Sequence, residues 1–137
     1  MQIIIKNKDT LLCDEFEFKC SIGKKGFTSS KIEGDKKTPK GTYTLGPLFY
    51  RKDKIKTPIT KLKKKIKHEK MYRSDSKYNI IIPIHYNAFN TKKNKGSAIF
   101  LHLTNNYKRT LGCIALKEKD MLILLRLINK KTKIKIL

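Results

Sequence analysis

Polar and apolar positions alternate at both ends of the chain. The opening QIIIK and the later FEFKC read as two strands of a β-hairpin around a turn at Asn7 to Asp9, with Phe16, Phe18 and Cys20 on one face and Glu17 and Lys19 on the other. The closing TKIKIL alternates in the same way and predicts a final strand. Just before it, KEKDMLILLRLINK changes period: Met121, Leu124, Leu125 and Ile128 recur at helical spacing, with Glu118 and Asp120 near the start and Lys130 and Lys131 at the end, where they complement the helix dipole. Between these ends, residues 21–48 are rich in Gly, Pro, Ser and Thr and predict mostly loop with one strand at GTYTL. Residues 51–77 are charged and aperiodic and offer only a short helix around 66–72. NIIIPIHYN is β-branched but interrupted by Pro83, which has no N–H to donate and so suggests an edge or a bulge. SAIFLHL is apolar at successive positions, as a strand covered on both faces would be, and its burial extends to His102. The pattern is that of a mainly β protein with one late helix. Its 137 residues suit one domain with a modest core.

Charge changes this picture little. The 33 Lys and Arg outnumber the 11 acidic residues, giving a net charge of +22, a balance that favours anionic polymers or surfaces through counterion release. The lysines are nevertheless spread from Lys6 to Lys135 amid abundant isoleucine, which is a compositional bias. The densest run, KLKKKIKHEK, reads as a solvated stretch, and no nucleic-acid-binding signature accompanies it, so no specific nucleic-acid partner is predicted. The N-terminal apolar run is too short for a secretory signal or a membrane span. The three cysteines fit no CxxC spacing. If LLCDEFEFKC is one strand, Cys13 and Cys20 face opposite sides, so a disulfide framework is not expected. His68, His85 and His102 are too dispersed for a local metal pair, and no metal is predicted.

One stretch, HLTNNYKRTLGCIAL at 102–116, places a histidine and a cysteine in apolar surroundings on either side of a polar loop. If that loop joins antiparallel neighbours, Leu103 pairs with Gly112 and His102 with Cys113, which brings the two side chains about 4.5–5.5 Å apart at Cβ. A cysteine attacks as thiolate, and a neighbouring imidazole supplies the base. Gly112 permits close backbone approach, and amides beside it are suited to holding an oxyanion. Taken singly, each residue is as well explained by packing.

Two ordered segments add to this. KIEGDKKTPKGTYTLGPL and KGSAIFLHLTNNYKRTLGCIALKEKDMLILLRLI resemble the EGDxxTPxG and GSAIFxH…TxGCxAL motifs of a branch of the L,D-transpeptidase catalytic domain family (YkuD-type). The resemblance spans most of the chain except the middle. It implies a β-sandwich with a helix after the cysteine motif, and a cysteine acyltransferase acting on peptidoglycan stem peptides without a cofactor. By the same resemblance Cys113 is the nucleophile and His102 its base. The Leu103 carbonyl orients the imidazole, the amides of Gly112 and Cys113 line the oxyanion hole, and Thr110 matches the hydroxyl of the cysteine motif. Glu33 and Asp35 either cap the Thr38, Pro39, Gly41 turn or bind a substrate ammonium. Glu69, Tyr86 and Asn87 match supporting positions.

The chain departs from the family pattern at three points. Leu111 and Ala115 stand where the classical motif has His and Arg, which leaves carboxylate recognition to Arg109 or a lysine. The middle, about 51–70, is shortened and has no Trp, so a wall of the substrate cleft is expected to be missing. The implied substrate belongs to the periplasm or cell envelope, whereas the absence of a signal leaves a cytoplasmic location open. Hydrolysis of the same acyl-enzyme and a noncatalytic basic polymer-binding relative are the alternative functions.

Overall fold

A computed structural model describes residues 2–66, 76–87, 91–96 and 98–137. Its strands are β1 (Gln2–Lys6), β2 (Thr10–Cys13), β3 (Phe16–Lys19), β4 (Phe27–Thr28), β5 (Thr38–Pro39), β6 (Gly41–Thr44), β7 (Leu48–Tyr50), β8 (Lys64–Ile66), β9 (Ile80–Pro83), β10 (Phe100–Leu103), β11 (Ile114–Leu116) and β12 (Lys133–Ile136). A 3-10 turn covers Ser76–Tyr78, and α1 covers Glu118–Leu127. The strands form two five-stranded sheets, in the orders β3-β2-β1-β12-β6 and β11-β10-β9-β7-β8, and the short pair β4-β5.

The predicted alternation explains the first sheet. Ile3 and Ile5 of β1 are buried and pair in register with the buried Ile134 and Ile136 of β12, while Lys133 and Lys135 face out. β1 and β12 run parallel, and β12 is also antiparallel to β6. The β-hairpin expected at the N-terminus is instead a three-stranded meander. Asn7 and Asp14, both at positive φ (55° and 52°), turn the chain twice, so LLCDEFEFKC is two strands and not one. Consequently Phe16 is 44% exposed while Phe18, Cys13 and Cys20 are buried, and all three cysteines are free thiols.

The second sheet is more buried. Leu101, His102 and Leu103 of β10 are covered on both faces, as SAIFLHL predicted. Pro83 corrects its expectation: β9 lies between β10 and β7, in the sheet interior. The proline is accommodated because it closes the strand opposite Phe100 and its carbonyl accepts the Gly46 N–H at 2.8 Å. The helix expected around 66–72 lies outside the described residues beyond Ile66, which itself ends β8.

Helix α1 buries Met121, Leu124 and Leu125, and Ile128 at its C-cap is fully buried, against the same cluster that receives Ile3, Ile82, Leu101, Ile114 and Ile134 from both sheets. This shared cluster holds the layers together, since burying one Leu or Ile side chain is worth about 1.5–3 kcal/mol. Leu124→Ala is expected to cost about 2–5 kcal/mol, because the cavity it leaves between helix and sheets cannot fully collapse. Urea unfolding monitored by circular dichroism measures that loss.

Candidate active site

The cysteine arrives at the site by a different route from the one its sequence suggests. β10 and β11 are parallel, with Leu101 opposite Ile114, His102 opposite Ala115 and Leu103 opposite Leu116. The antiparallel pairing of His102 with Cys113 is therefore overturned. Residues 104–113 leave the sheet and re-enter in the same direction. On the way, Thr110 pairs with the 22–24 segment, donating its N–H to the Ile22 carbonyl and accepting that of Lys24. Extending the observed register back by one position sets Cys113 against Phe100, and the Phe100 N–H donates to Cys113 Sγ at 3.4 Å. Strand residues two apart share a face, so Phe100, Cys113 and His102 lie on one side of the sheet, with the histidine diagonal to the cysteine.

Both side chains line one cavity of about 220 Å³ together with Lys24, Lys77, Tyr78, Thr104, Lys108, Arg109, Thr110 and Leu111. His102 is 5% exposed, and Tyr78 meets its ring edge-on at 5.3 Å. Its Nδ1 is 2.9 Å from the Leu103 carbonyl. A carbonyl can only accept, so Nδ1 carries the proton and the basic lone pair is on Nε2. The Cys113 thiol donates to the Ala98 carbonyl at 3.6 Å. Burial pushes this thiol up from its ordinary value, while the Phe100 amide and the positive charge of Lys31 pull it down without cancelling the rise.

The backbone around Cys113 is fixed by hydroxyls. Thr110 Oγ1 donates to the Cys113 carbonyl and accepts the Gly112 N–H at 3.1 Å. Thr110 thus braces the loop as well as lining the cavity, and one of the two amides expected for the oxyanion hole is already engaged. Gly112 has φ +140°, and an added Cβ would meet the Lys37 carbonyl at 3.0 Å, so a side chain there is excluded on two counts. Its carbonyl accepts from Thr38 Oγ1 at 2.8 Å, and Thr38 Oγ1 in turn accepts the Gly23 N–H at 2.9 Å. The early TPxG segment therefore lies directly against the cysteine loop.

Asp35 is the cap of that segment. It accepts from Lys31 Nζ at 2.6 Å and from the amides of Ile32 and Lys37 at 3.0 Å each. Burial by itself would raise its carboxyl, but the Ile32 amide, the Lys31 ammonium and the Lys37 amide prevail and hold it down at about 2. These bonds cap the turn, and neither Asp35 nor the exposed Glu33 lines the cavity. Tyr86 and Asn87 secure the 92–96 loop by donating to the carbonyls of Lys95 and Gly96. Glu69 lies outside the described residues. Sequence reasoning missed Lys31 and Tyr78: one is a single lysine among many, and the other directly follows the aperiodic middle. Among the described residues no group of three or more His, Cys, Asp or Glu converges on a metal-sized site, and no helix is long and apolar enough to cross a membrane.

With this geometry in view, the likeness to known proteins is specific. The L,D-transpeptidase catalytic domain family (YkuD) matches residues 3–136, and the chain belongs to that family. No curated protein is a significant match to it. Among solved structures, the helical cell shape determining protein Pgp2 from Campylobacter jejuni superposes with a TM-score of 0.64 at 21% identity, over 98% of this chain and 46% of that one. Bd1075 from Bdellovibrio bacteriovorus superposes at 0.58 and 17% identity with the same coverages. These likenesses establish a shared fold, and the chain spans under half the length of either structure.

Two outcomes follow from the threonine and aspartate contacts. Thr38→Val keeps the shape but strands the buried Gly23 N–H and Gly112 carbonyl, and is expected to cost about 1–3 kcal/mol for each unmet group, read by urea unfolding, with faster hydrogen exchange at the Gly23 amide. The Asp35 carboxyl is depressed on folding from an unfolded value of about 3.9 to about 2. It therefore stabilises the fold above the unfolded value, and that contribution is lost as pH falls through the folded one. Asp35→Asn should accordingly flatten the pH dependence of stability between about pH 4 and pH 2, measured by denaturation at stepped pH.

Proposed function

We propose that the protein is a cysteine acyltransferase acting on peptidoglycan stem peptides, with Cys113 as nucleophile and His102 as general base. The observation that carries this reading is the shared cavity, in which Cys113 stands beside an imidazole whose Nδ1 is committed to the Leu103 carbonyl. Because burial keeps the thiol protonated at neutral pH, attack requires a base in place. His102 Nε2 takes the Sγ proton as Sγ bonds to the carbonyl carbon on the L side of an L,D peptide bond. The carbonyl oxygen becomes an oxyanion stabilised by the Cys113 amide, joined by the Gly112 amide if it releases Thr110. Collapse breaks the C–N bond, and the imidazolium returns its proton to the departing D-amino acid amine. The thioester then passes its acyl group to an amine, giving a cross-link, or to water, giving the trimmed peptide.

Recognition of the stem carboxylates is assigned to the cationic rim formed by Lys24, Lys108 and Arg109. Position 115 itself offers no charge, since Ala115 is fully buried and paired with His102 on one side and Ser21 on the other. A peptidoglycan substrate implies a site of action in the cell envelope.

The test is intact-mass spectrometry after incubation with a carbapenem and, separately, with tetrapeptide-bearing muropeptides. A single covalent adduct and conversion of the muropeptide are expected for the wild type, with both lost in Cys113→Ala at unchanged stability. His102→Gln should slow turnover by about 10²–10⁴-fold, the usual contribution of a positioned base. Folded wild type that forms no adduct and converts no muropeptide would sink the proposal. Salt-sensitive binding to anionic polymer that persists in Cys113→Ala would then favour the noncatalytic alternative.

A further inference from the structure

Among the described residues, Lys31 is the lysine that is buried: it is 6% exposed in a chain whose other lysines mostly face solvent. Its side chain is threaded between two loops. A Cβ added at Gly96 would meet its Cε at 3.5 Å, and one added at Gly112 would meet its Nζ at 3.7 Å. The ammonium is held in that place by Asp35 at 2.6 Å. Asp35 is itself fixed by two backbone amides, and the chain after it supplies the Lys37 carbonyl and the Thr38 hydroxyl that contact Gly112. Lys31 is not among the residues lining the cavity. Whatever it does for the nucleophile therefore passes through the Gly112 backbone and through its field, and not through substrate.

We propose that Lys31 is a positioning residue for Cys113, its buried ammonium, anchored by Asp35 beside the Gly112–Cys113 turn, favouring the thiolate over the thiol. The inference rests on the reading of Cys113 as nucleophile. Burial of the sulfur opposes ionisation, and Lys31 acts against that penalty together with the Phe100 amide. Among the described residues, the other charged or titratable groups around this place are Asp35, paired with Lys31, and His102, Tyr78, Lys24, Lys77, Lys108 and Arg109, which line the cavity. The exposed cations among them are screened by salt, whereas a buried one is screened much less. Proton transfer to His102 creates a thiolate–imidazolium pair. A fixed positive charge beside the Gly112–Cys113 turn stabilises the anion of that pair without competing for the proton.

The experiment is the pH dependence of Cys113 alkylation by iodoacetamide, followed by mass spectrometry with peptide mapping in wild type, Lys31→Met, Lys31→Arg and Lys31→Gln. Because burial raises the Cys113 thiol, its midpoint lies on the alkaline side, and peptide mapping reads it separately from Cys13 and Cys20, which burial pushes up to about 11 and about 12. Lys31→Met is expected to move the midpoint upward by about one unit, a tenfold loss of thiolate below the midpoint. Lys31→Arg should restore the midpoint, and Lys31→Gln should raise it as Lys31→Met does. A folded Lys31→Met with the wild-type midpoint overturns the proposal. If Lys31→Met does not fold, Lys31→Gln, which keeps a hydrogen-bond donor for Asp35 but carries no charge, decides: a raised midpoint supports the field effect, and an unchanged or lowered one overturns it. Alkylation needs no peptidoglycan, so failure of this inference and failure of the proposed reaction are read separately.

Discussion

The hydroxyl of Thr38 sits at a junction of three chain segments. It accepts the Gly23 N–H, donates to the Gly112 carbonyl, and is fully buried. With both its donor and acceptor capacity spent on backbone, it satisfies polar groups that would each be costly to leave unpaired in a low-dielectric interior. Everything proposed for the nucleophile depends on this junction. The Gly112 peptide takes its orientation from it, and Thr110 and the 22–24 segment are aligned from the other side. The two motifs that are far apart in sequence are thus two faces of one loop packing.

The high positive charge is disposed in an orderly way around this centre. Most lysines occupy solvent-facing positions, such as Lys133 and Lys135 on β12. Lys19 and Lys117 lie over the ring of Tyr107 at 4.6 and 5.2 Å, so an aromatic face moderates part of the repulsion in the loop leading to the cysteine. Mutual repulsion of exposed cations works against the compact state, which leaves the shared apolar cluster to hold the sheets together. The Lys31–Asp35 pair stands apart, because both partners are secluded and the carboxylate is hydrogen-bonded by backbone as well.

Much of this was legible in the sequence because periodicity reports burial directly. The stripe of Met121, Leu124, Leu125 and Ile128, and the alternation of Ile134 and Ile136, needed no tertiary information. The nature of the site, a histidine and a cysteine sharing a cavity, was legible from the two motifs together. The relation between the strands carrying them was not. Asn105, Asn106 and Gly112 have the chemistry of a hairpin loop, yet residues 104–113 are held away from a hairpin by pairing with the 22–24 segment, a contact that no local pattern encodes. Pro83 misled for a related reason: its effect on a ladder depends on whether the missing N–H falls at a strand end, and that is decided by its neighbours across the sheet. Lys31 carried no signal at all, since burial is what distinguishes it.

The place of β12 in the first sheet has a temporal side. It is inserted between β1 and β6 and pairs with both. Until residues 133–136 are available, β3-β2-β1 on one side and β6 on the other present unpaired edges with nothing to join them. A chain emerging from the ribosome therefore cannot close this sheet piece by piece. Its earliest strands must wait for one of its latest, and during that interval the open edges are templates for pairing with other chains.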